Sequence, residues 1–150
     1  MDLTIREWER ITRTPVLVFA VVAMADEDVS DDERSAFADM WIPRLRDFEV
    51  SQLDHDRSVY QDALSAAASR WAGIAKLGEH AILQELQGAI TLLNERLPER
   101  PATAWKNALR RLGIDIAEAS GGFLGITDPI DVEEHRVLRL IFRMLSAPAR

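Results

Sequence analysis

The sequence predicts an all-α fold, a compact bundle of about seven helices in one domain spanning residues 1–150. Apolar residues recur at helical spacing along most of the chain, and helix-capping patterns precede several of these segments. No segment alternates apolar and polar residues as a half-buried strand would. With 150 residues, 47% of them hydrophobic, the chain is long enough to bury a substantial core.

The first two predicted helices meet at Thr14. Thr4 and Glu7 form a capping-box pattern, which starts a helix expected to run to about residue 12. Thr14 is expected to be the N-cap of the next helix, with Pro15 at its first helical position. This second helix, running to about Ala25, is apolar on nearly every side, which predicts a place in the middle of the bundle.

Helix-capping residues, helix-breaking residues and apolar stripes predict the later helices. Ser30 and Glu33 form a second capping box, and the helix that they open is expected to bury Phe37, Met40, Trp41 and Leu45. Helical patterns follow from 57 to 77 and from 79 to 97, either separated by Gly78 or continuous through it, and the apolar stripe of the first ends at Ile74 and Leu77. Two more helices are predicted, one from about Trp105 to Gly121-Gly122 and one opening at Asp131. The last helix is expected to carry an inner stripe of Val137, Leu138, Ile141, Met144 and Leu145. The four tryptophans, Trp8, Trp41, Trp71 and Trp105, are expected in the core or at its boundary, and an exposed one would mark a partner surface.

Composition and charge exclude several classes of function. The chain has no cysteine, so disulfides, thiolate metal sites and cysteine nucleophiles are excluded. The net charge of −7 makes non-specific nucleic-acid binding unfavourable. The longest apolar run, from Val16 to Ala25, is shorter than the roughly 20 residues that span a bilayer. No direct membrane insertion is therefore expected, and the composition suits a cytoplasmic protein.

The strongest functional feature is an acidic turn at residues 26–33, which contains six carboxylates in eight positions. Crowded carboxylates repel one another, and a bound cation relieves that repulsion. Asp26, Asp28 and Glu33 are candidate oxygen ligands for a divalent cation, with calcium or magnesium favoured. The alternative is a solvated turn, since acidic residues at a helix N-terminus also complement the helix dipole. An EF-hand is excluded, because Asp31 and Phe37 stand where that loop needs Gly and Glu.

A second segment partly repeats this pattern. The residues before and after the acidic turn are matched by Ala117 to Ser120, then Ile130 to His135, with an insertion at about 121–129. Both copies have an apolar helix ending in small residues, a polar turn and an acidic first helical turn. The sequence thus predicts a pseudo-two-fold internal repeat, against the alternative of a chance match between two amphipathic helix pairs.

The segment Ala25-Asp-Glu-Asp-Val-Ser-Asp-Asp-Glu33 resembles the Ala-Asp-Gly, apolar, Ser, Glu signature of the tellurite-resistance TerB-like family. The resemblance implies an all-helical fold of two related halves whose acidic motifs form a metal-binding centre. Matched by position, Asp26 and Glu33 belong to the first motif and Glu134 to the second. Glu27 replaces the Gly of the first motif, and Ser120 stands where the second has Asp.

We therefore expect a non-enzymatic TerB-like module that binds a divalent cation through Asp26, Asp28, Glu33 and Glu134. The resemblance places it in a tellurite or stress response, and a protein partner is expected. One alternative is a protein-interaction module without metal. Another is a metal-dependent hydrolase, which would need a ligand such as His135 close to the carboxylates and an open coordination position.

Overall fold

The structure, a computed structural model, describes residues 3–23, 25, 32, 36, 38–41, 71–123 and 132–146. The described part of the chain is helical, as the sequence predicts. Its helices are α1 (Ile5–Thr12), α2 (Thr14–Ala23), α3 (Trp71–Lys76), α4 (Glu79–Arg96), α5 (Glu99–Phe123) and α6 (Val132–Leu145). Five of these have eight or more residues, fewer than the seven helices expected. The predicted helices that open at Ser30 and at about residue 57 lie partly outside the described ranges.

Helix α1 begins at the predicted capping box. The Thr4 hydroxyl accepts a hydrogen bond from the Glu7 N–H at 3.1 Å, and the Glu7 carboxylate accepts one from the Thr4 N–H at 2.9 Å. Together they satisfy two donors that the start of a helix leaves without intrahelical partners. The hydrogen bond from the Thr4 backbone lowers the pKa of Glu7, with smaller contributions from the Thr4 side chain and Arg96.

Helix α2 is the centre of the bundle, as its uniformly apolar sequence predicts. All ten of its residues are buried, and it packs against α1, α3, α4, α5 and α6. A helix surrounded in this way has no face that needs polar side chains. The C-terminal end of α2 therefore has a position fixed by packing on several sides, which matters for the acidic turn that follows it.

The expectation that Thr14 caps α2 is wrong. Its hydroxyl donates to the Ile11 carbonyl at 2.7 Å and accepts from the Trp105 indole N–H at 3.0 Å. The Arg13 carbonyl already accepts from the first free amides of α2, those of Val16 and Leu17. Because α1 runs into α2 almost without interruption, the Thr14 side chain is turned toward the core, where it satisfies a buried indole.

Gly78 separates α3 from α4, which decides between the two predictions for this region. Its φ of +83° lies in the left-handed region that favours glycine. Helix α4 then runs antiparallel to α1, and two ion pairs, one near each end of α1, connect the two helices. Arg13 pairs with Glu85 near one end of α1, and Arg96 pairs with Glu7 at 3.2 Å near the other.

Two predicted inward positions are exposed. Met40 is 36% exposed, because Ala38 and Trp41 occupy the buried positions of that helical segment. Leu77 is 53% exposed, because it lies in the turn after α3, where helical periodicity no longer applies. The predicted inner stripe of α6 is confirmed for four residues and is partly buried at Met144. The four fully buried residues are Val137, Leu138, Ile141 and Leu145.

Candidate functional site

The predicted cation ligands lie at the margins of the described chain. Asp26, Asp28 and Glu33 fall outside the described residues. Glu134 lies in the first turn of α6, and its side chain is outside the described part. The geometry of the four carboxylates therefore stays a prediction, and the structure contributes the positions of the elements that lead into them.

The chain is anchored immediately before the acidic turn. Ala25 is buried, and its N–H donates to the Val22 carbonyl at 3.2 Å, so the chain turns as soon as α2 ends. The first acidic residue follows directly from a buried backbone position. The last described residue before the acidic turn is consequently held by the core.

The chain is anchored again after the turn. Residues 38–41 are helical, and Ala38 and Trp41 are buried at 1% and 6% exposure. The ring of Trp41 packs on Phe19 of α2, with 6.5 Å between their centroids. Asp32, within the turn, is helical and exposed. The acidic segment thus connects two helical segments that both pack in the same core.

The end of α2 and the start of α6 lie at the same end of the bundle. Helices α2 and α5 run parallel, because Trp105 meets Thr14 and a Cβ on Gly113 would lie 3.7 Å from Val18. Helix α6 is antiparallel to α5, because Leu138 meets Gly113 whereas the Ser146 hydroxyl accepts from Arg110 at 3.1 Å.

Gly113 provides a common level from which both acidic motifs can be measured along the helices. At a rise of 1.5 Å per residue, Ala23 is about 7.5 Å beyond the level of Val18. Glu134 precedes Leu138 by four residues, or about 6 Å in the same direction. The first turn of α6 and the exit of α2 therefore reach similar heights at one end of the bundle.

Further charged residues surround this end. Glu79, in the first turn of α4, accepts from Arg136 at 2.7 Å, which ties α4 to α6 two residues after Glu134. His80 and His135 are both exposed. Across the described ranges, no three histidine, aspartate or glutamate residues are grouped closely enough to hold a metal ion.

Two buried polar residues were not anticipated from the sequence. The Lys106 ammonium, on a residue only 6% exposed, donates to the side-chain carbonyl of Asn94 at 2.8 Å. Burial lowers the pKa of Lys106, the nearby Arg110 lowers it further, and Glu99 opposes them. A signal was present, because Lys106 follows Trp105 directly and precedes Leu109 by three residues, and both are apolar positions of the same helix. The pair joins α4 to α5.

The predicted core tryptophans are confirmed where their side chains are described. Trp8, Trp41 and Trp105 are all buried, so none of these three offers the exposed aromatic surface that would mark a docking site. The Trp71 side chain lies outside the described part. Among the helices that the structure describes, none combines the length and the apolar character needed to cross a membrane.

The chain was compared with known families, curated proteins and solved structures. No family model, no curated protein and no solved structure matches it. The resemblance to the TerB-like family accordingly rests on the motif residues alone.

Proposed function

We propose that the chain is a non-enzymatic helical module that binds a divalent cation between its two acidic motifs. Asp26, Asp28 and Glu33 would supply oxygen ligands from the acidic turn, and Glu134 would supply one from α6. Calcium or magnesium fits such a ligand set, because both prefer carboxylate oxygens. The resemblance to the TerB-like family supports this assignment and extends it to a tellurite or stress response.

The observation that supports the proposal is that the exit of α2 and the first turn of α6, which lead into the two motifs, lie at the same end of the bundle. The motifs are separated by about a hundred residues in the sequence, so only the fold can bring them together. The exit of α2 and the first turn of α6 stand at about the same height above Gly113. Arg136 is the nearest described cation in sequence to Glu134, and it pairs with Glu79 of α4.

A pseudo-two-fold relation between the motifs belongs to the same proposal. Its two halves would be α2 with the helical segment containing Trp41, and α5 with α6. The parallel packing of α2 and α5 supports it, since a two-fold axis that runs along a bundle relates parallel helices. Both of these helices are followed by an acidic segment.

The competing functions make different demands on the same end of the molecule. A protein-interaction module without metal would use the acidic turn as solvated helix caps, and divalent cations would then not bind. A metal-dependent hydrolase would need His135 to join the ligands and to leave one coordination position open. His135 is exposed on α6, next to the proposed ligand Glu134. We therefore keep hydrolysis as the weaker alternative.

The experiment is a calorimetric titration of the chelator-treated chain with calcium, magnesium, manganese and zinc. Glu33→Gln and Glu134→Gln replace one proposed carboxylate ligand in each motif by an uncharged amide of nearly the same volume, which is a weaker ligand for a hard cation. Glu95→Gln, at an exposed position of α4, is the matched control. We expect saturable binding of one cation, weakened at least tenfold by either ligand substitution and unchanged by the control.

Each other outcome has a defined meaning. If none of the four cations produced a heat of binding, the proposal would be refuted and the acidic turn would serve only as helix caps. Binding lost in Glu33→Gln but unchanged in Glu134→Gln would place the cation in the turn alone, against a shared centre. Binding that Glu95→Gln weakens equally would indicate non-specific attraction to an acidic protein.

A further inference from the structure

The outer face of α6 carries a row of arginines. Arg136, Arg139 and Arg143 are exposed and spaced three and four residues apart, so they lie along one side of the helix. Ser146 continues the row, and Arg110 of α5 donates to its hydroxyl. The buried residues of α6 lie on the opposite side of the helix. They are Val137, Leu138, Ile141 and Leu145.

This arginine row is locally basic in an acidic chain. Residues 1–70 contain 15 acidic and 8 basic side chains, which accounts for the whole net charge of −7, and residues 71–150 contain ten of each. From residue 135 to the end there are four arginines and no acidic side chain. Charges beyond about 8–10 Å are screened at physiological salt, so a ligand at Arg139 and Arg143 would experience mainly the charges close to these two side chains.

Two members of the row have guanidinium groups available for a ligand. Arg136 is engaged by Glu79. Within the described part of the chain, no ion pair involves Arg139 or Arg143. One helical turn separates these two residues, which places their Cβ atoms about 6 Å apart. Two carboxylates at a similar spacing on a partner would each meet one guanidinium, in the planar geometry that favours paired hydrogen bonds.

The residues beside the row indicate the class of partner. Leu140 and Phe142 are half-buried and flank the arginines on either side. Protein interfaces are enriched in arginine and apolar side chains and depleted in lysine, and the row contains no lysine. The main apolar side of α6 is buried in the core, so this helix cannot insert into a bilayer as an amphipathic anchor.

We propose that the outer face of α6 docks an acidic segment of a partner protein. Carboxylates of the segment pair with Arg139 and Arg143, and its apolar side chains pack on Leu140 and Phe142. The proposed contacts involve no residue of the acidic turn, and the inference does not depend on cation binding there.

The test is a selection of random twelve-residue peptides on the immobilised full chain, with counter-selection on Arg139→Glu/Arg143→Glu. Selected peptides are then titrated by fluorescence polarisation at low and high salt. The matched control is Arg6→Glu/Arg100→Glu, which makes the same change in net charge at two exposed positions near helix starts. Circular dichroism establishes that all variants retain the helical fold.

We expect enriched peptides that combine paired Asp or Glu with apolar residues. The affinity of these peptides for Arg139→Glu/Arg143→Glu should be at least tenfold lower than for the wild type, and their affinity for the control variant should be less than twofold lower. Their affinity for the wild type should decrease progressively as the salt concentration rises. Enrichment of neutral or basic peptides, no enrichment, or equal loss in both variants would overturn the proposal. Tighter binding of phosphatidylserine vesicles or a single-stranded oligonucleotide, lost in the α6 variant, would overturn it in favour of a lipid or nucleic-acid surface.

Discussion

Gly113 and Gly88 are both inside long helices, and the structure predicts that only Gly88→Ala stabilises the chain. In a helix interior, Gly is about 0.8–1.0 kcal/mol less favourable than Ala, so both substitutions begin with the same gain. At Gly88 the new Cβ would lie 2.8 Å from the Arg10 guanidinium. Arg10 is exposed, so its tip can move away. We expect Gly88→Ala to stabilise the chain by nearly the full amount.

At Gly113 the neighbours belong to the core. The new Cβ would lie 3.1 Å from Cδ2 of Leu138 and 3.7 Å from Cγ1 of Val18. Both neighbours are buried, and inserting a methyl group into a packed core costs about 1–3 kcal/mol. Subtracting the gain in helix propensity leaves Gly113→Ala between neutral and about 2 kcal/mol destabilising.

Urea unfolding followed by circular dichroism measures both variants against the wild type. Leu138→Val shortens the crowded side chain, so it should restore part of the stability in a double variant with Gly113→Ala, as a favourable coupling energy. If Gly113→Ala stabilised the chain as much as Gly88→Ala, or showed no coupling to Leu138→Val, α2, α5 and α6 could not meet as closely as described. The common level used to align the acidic motifs would then be lost.

Three further predictions concern single positions. Thr14→Val removes the hydroxyl that accepts a hydrogen bond from Trp105, and it should lower the free energy of unfolding by about 1–3 kcal/mol. Thr14→Ser keeps the hydroxyl, so it should retain the coupling energy with Trp105 in a double-mutant cycle. Folding lowers the pKa of Glu7. The ionised carboxylate therefore stabilises the fold fully at pH values above the unfolded-state pKa, which is about 4.3, and this stabilisation is lost as the pH falls through the folded-state pKa. Glu7→Gln keeps the capping geometry but removes the charge. In urea unfolding, the free energy of unfolding of this variant should be lower than that of the wild type at pH 7 and equal to it near pH 2. A difference that does not change with pH would contradict the role of the charge. Gly78→Ala forces a left-handed φ on a residue with a Cβ and should destabilise by about 1–2 kcal/mol, and an unchanged unfolding midpoint would contradict that conformation.

The sequence predicts this fold well where one physical signal dominates. The capping box at Thr4 needs only two side chains three residues apart, and the apolar α2 has nowhere to lie except the core. The same reasoning failed at Thr14, because a hydroxyl before a proline satisfies a local capping rule and a distant indole equally well. Only the packing of Trp105, 91 residues away, decides between them.

The candidate site shows the same division. The acidic turn is visible as a cluster of carboxylates, and Glu134 as a partial repeat of it. The helix ends that lead into them lie at one end of the bundle because of the directions of α2, α5 and α6, which no local pattern contains. The burial of Lys106 beside Asn94 was missed for a related reason, since a lysine in a helix is ordinarily exposed.

The central claim is that the acidic turn and the first turn of α6 meet, and disulfide trapping tests it directly. The chain has no cysteine, so Asp28→Cys/Glu134→Cys introduces a single pair. A disulfide requires Cα atoms about 4.4–6.8 Å apart. The control pair, Asp28→Cys/Ser146→Cys, moves the second thiol twelve residues along α6, or about 18 Å. We predict rapid intramolecular oxidation by diamide in the first pair and none in the control. A first pair that stays reduced, or a control that oxidises equally fast, would contradict the shared acidic centre.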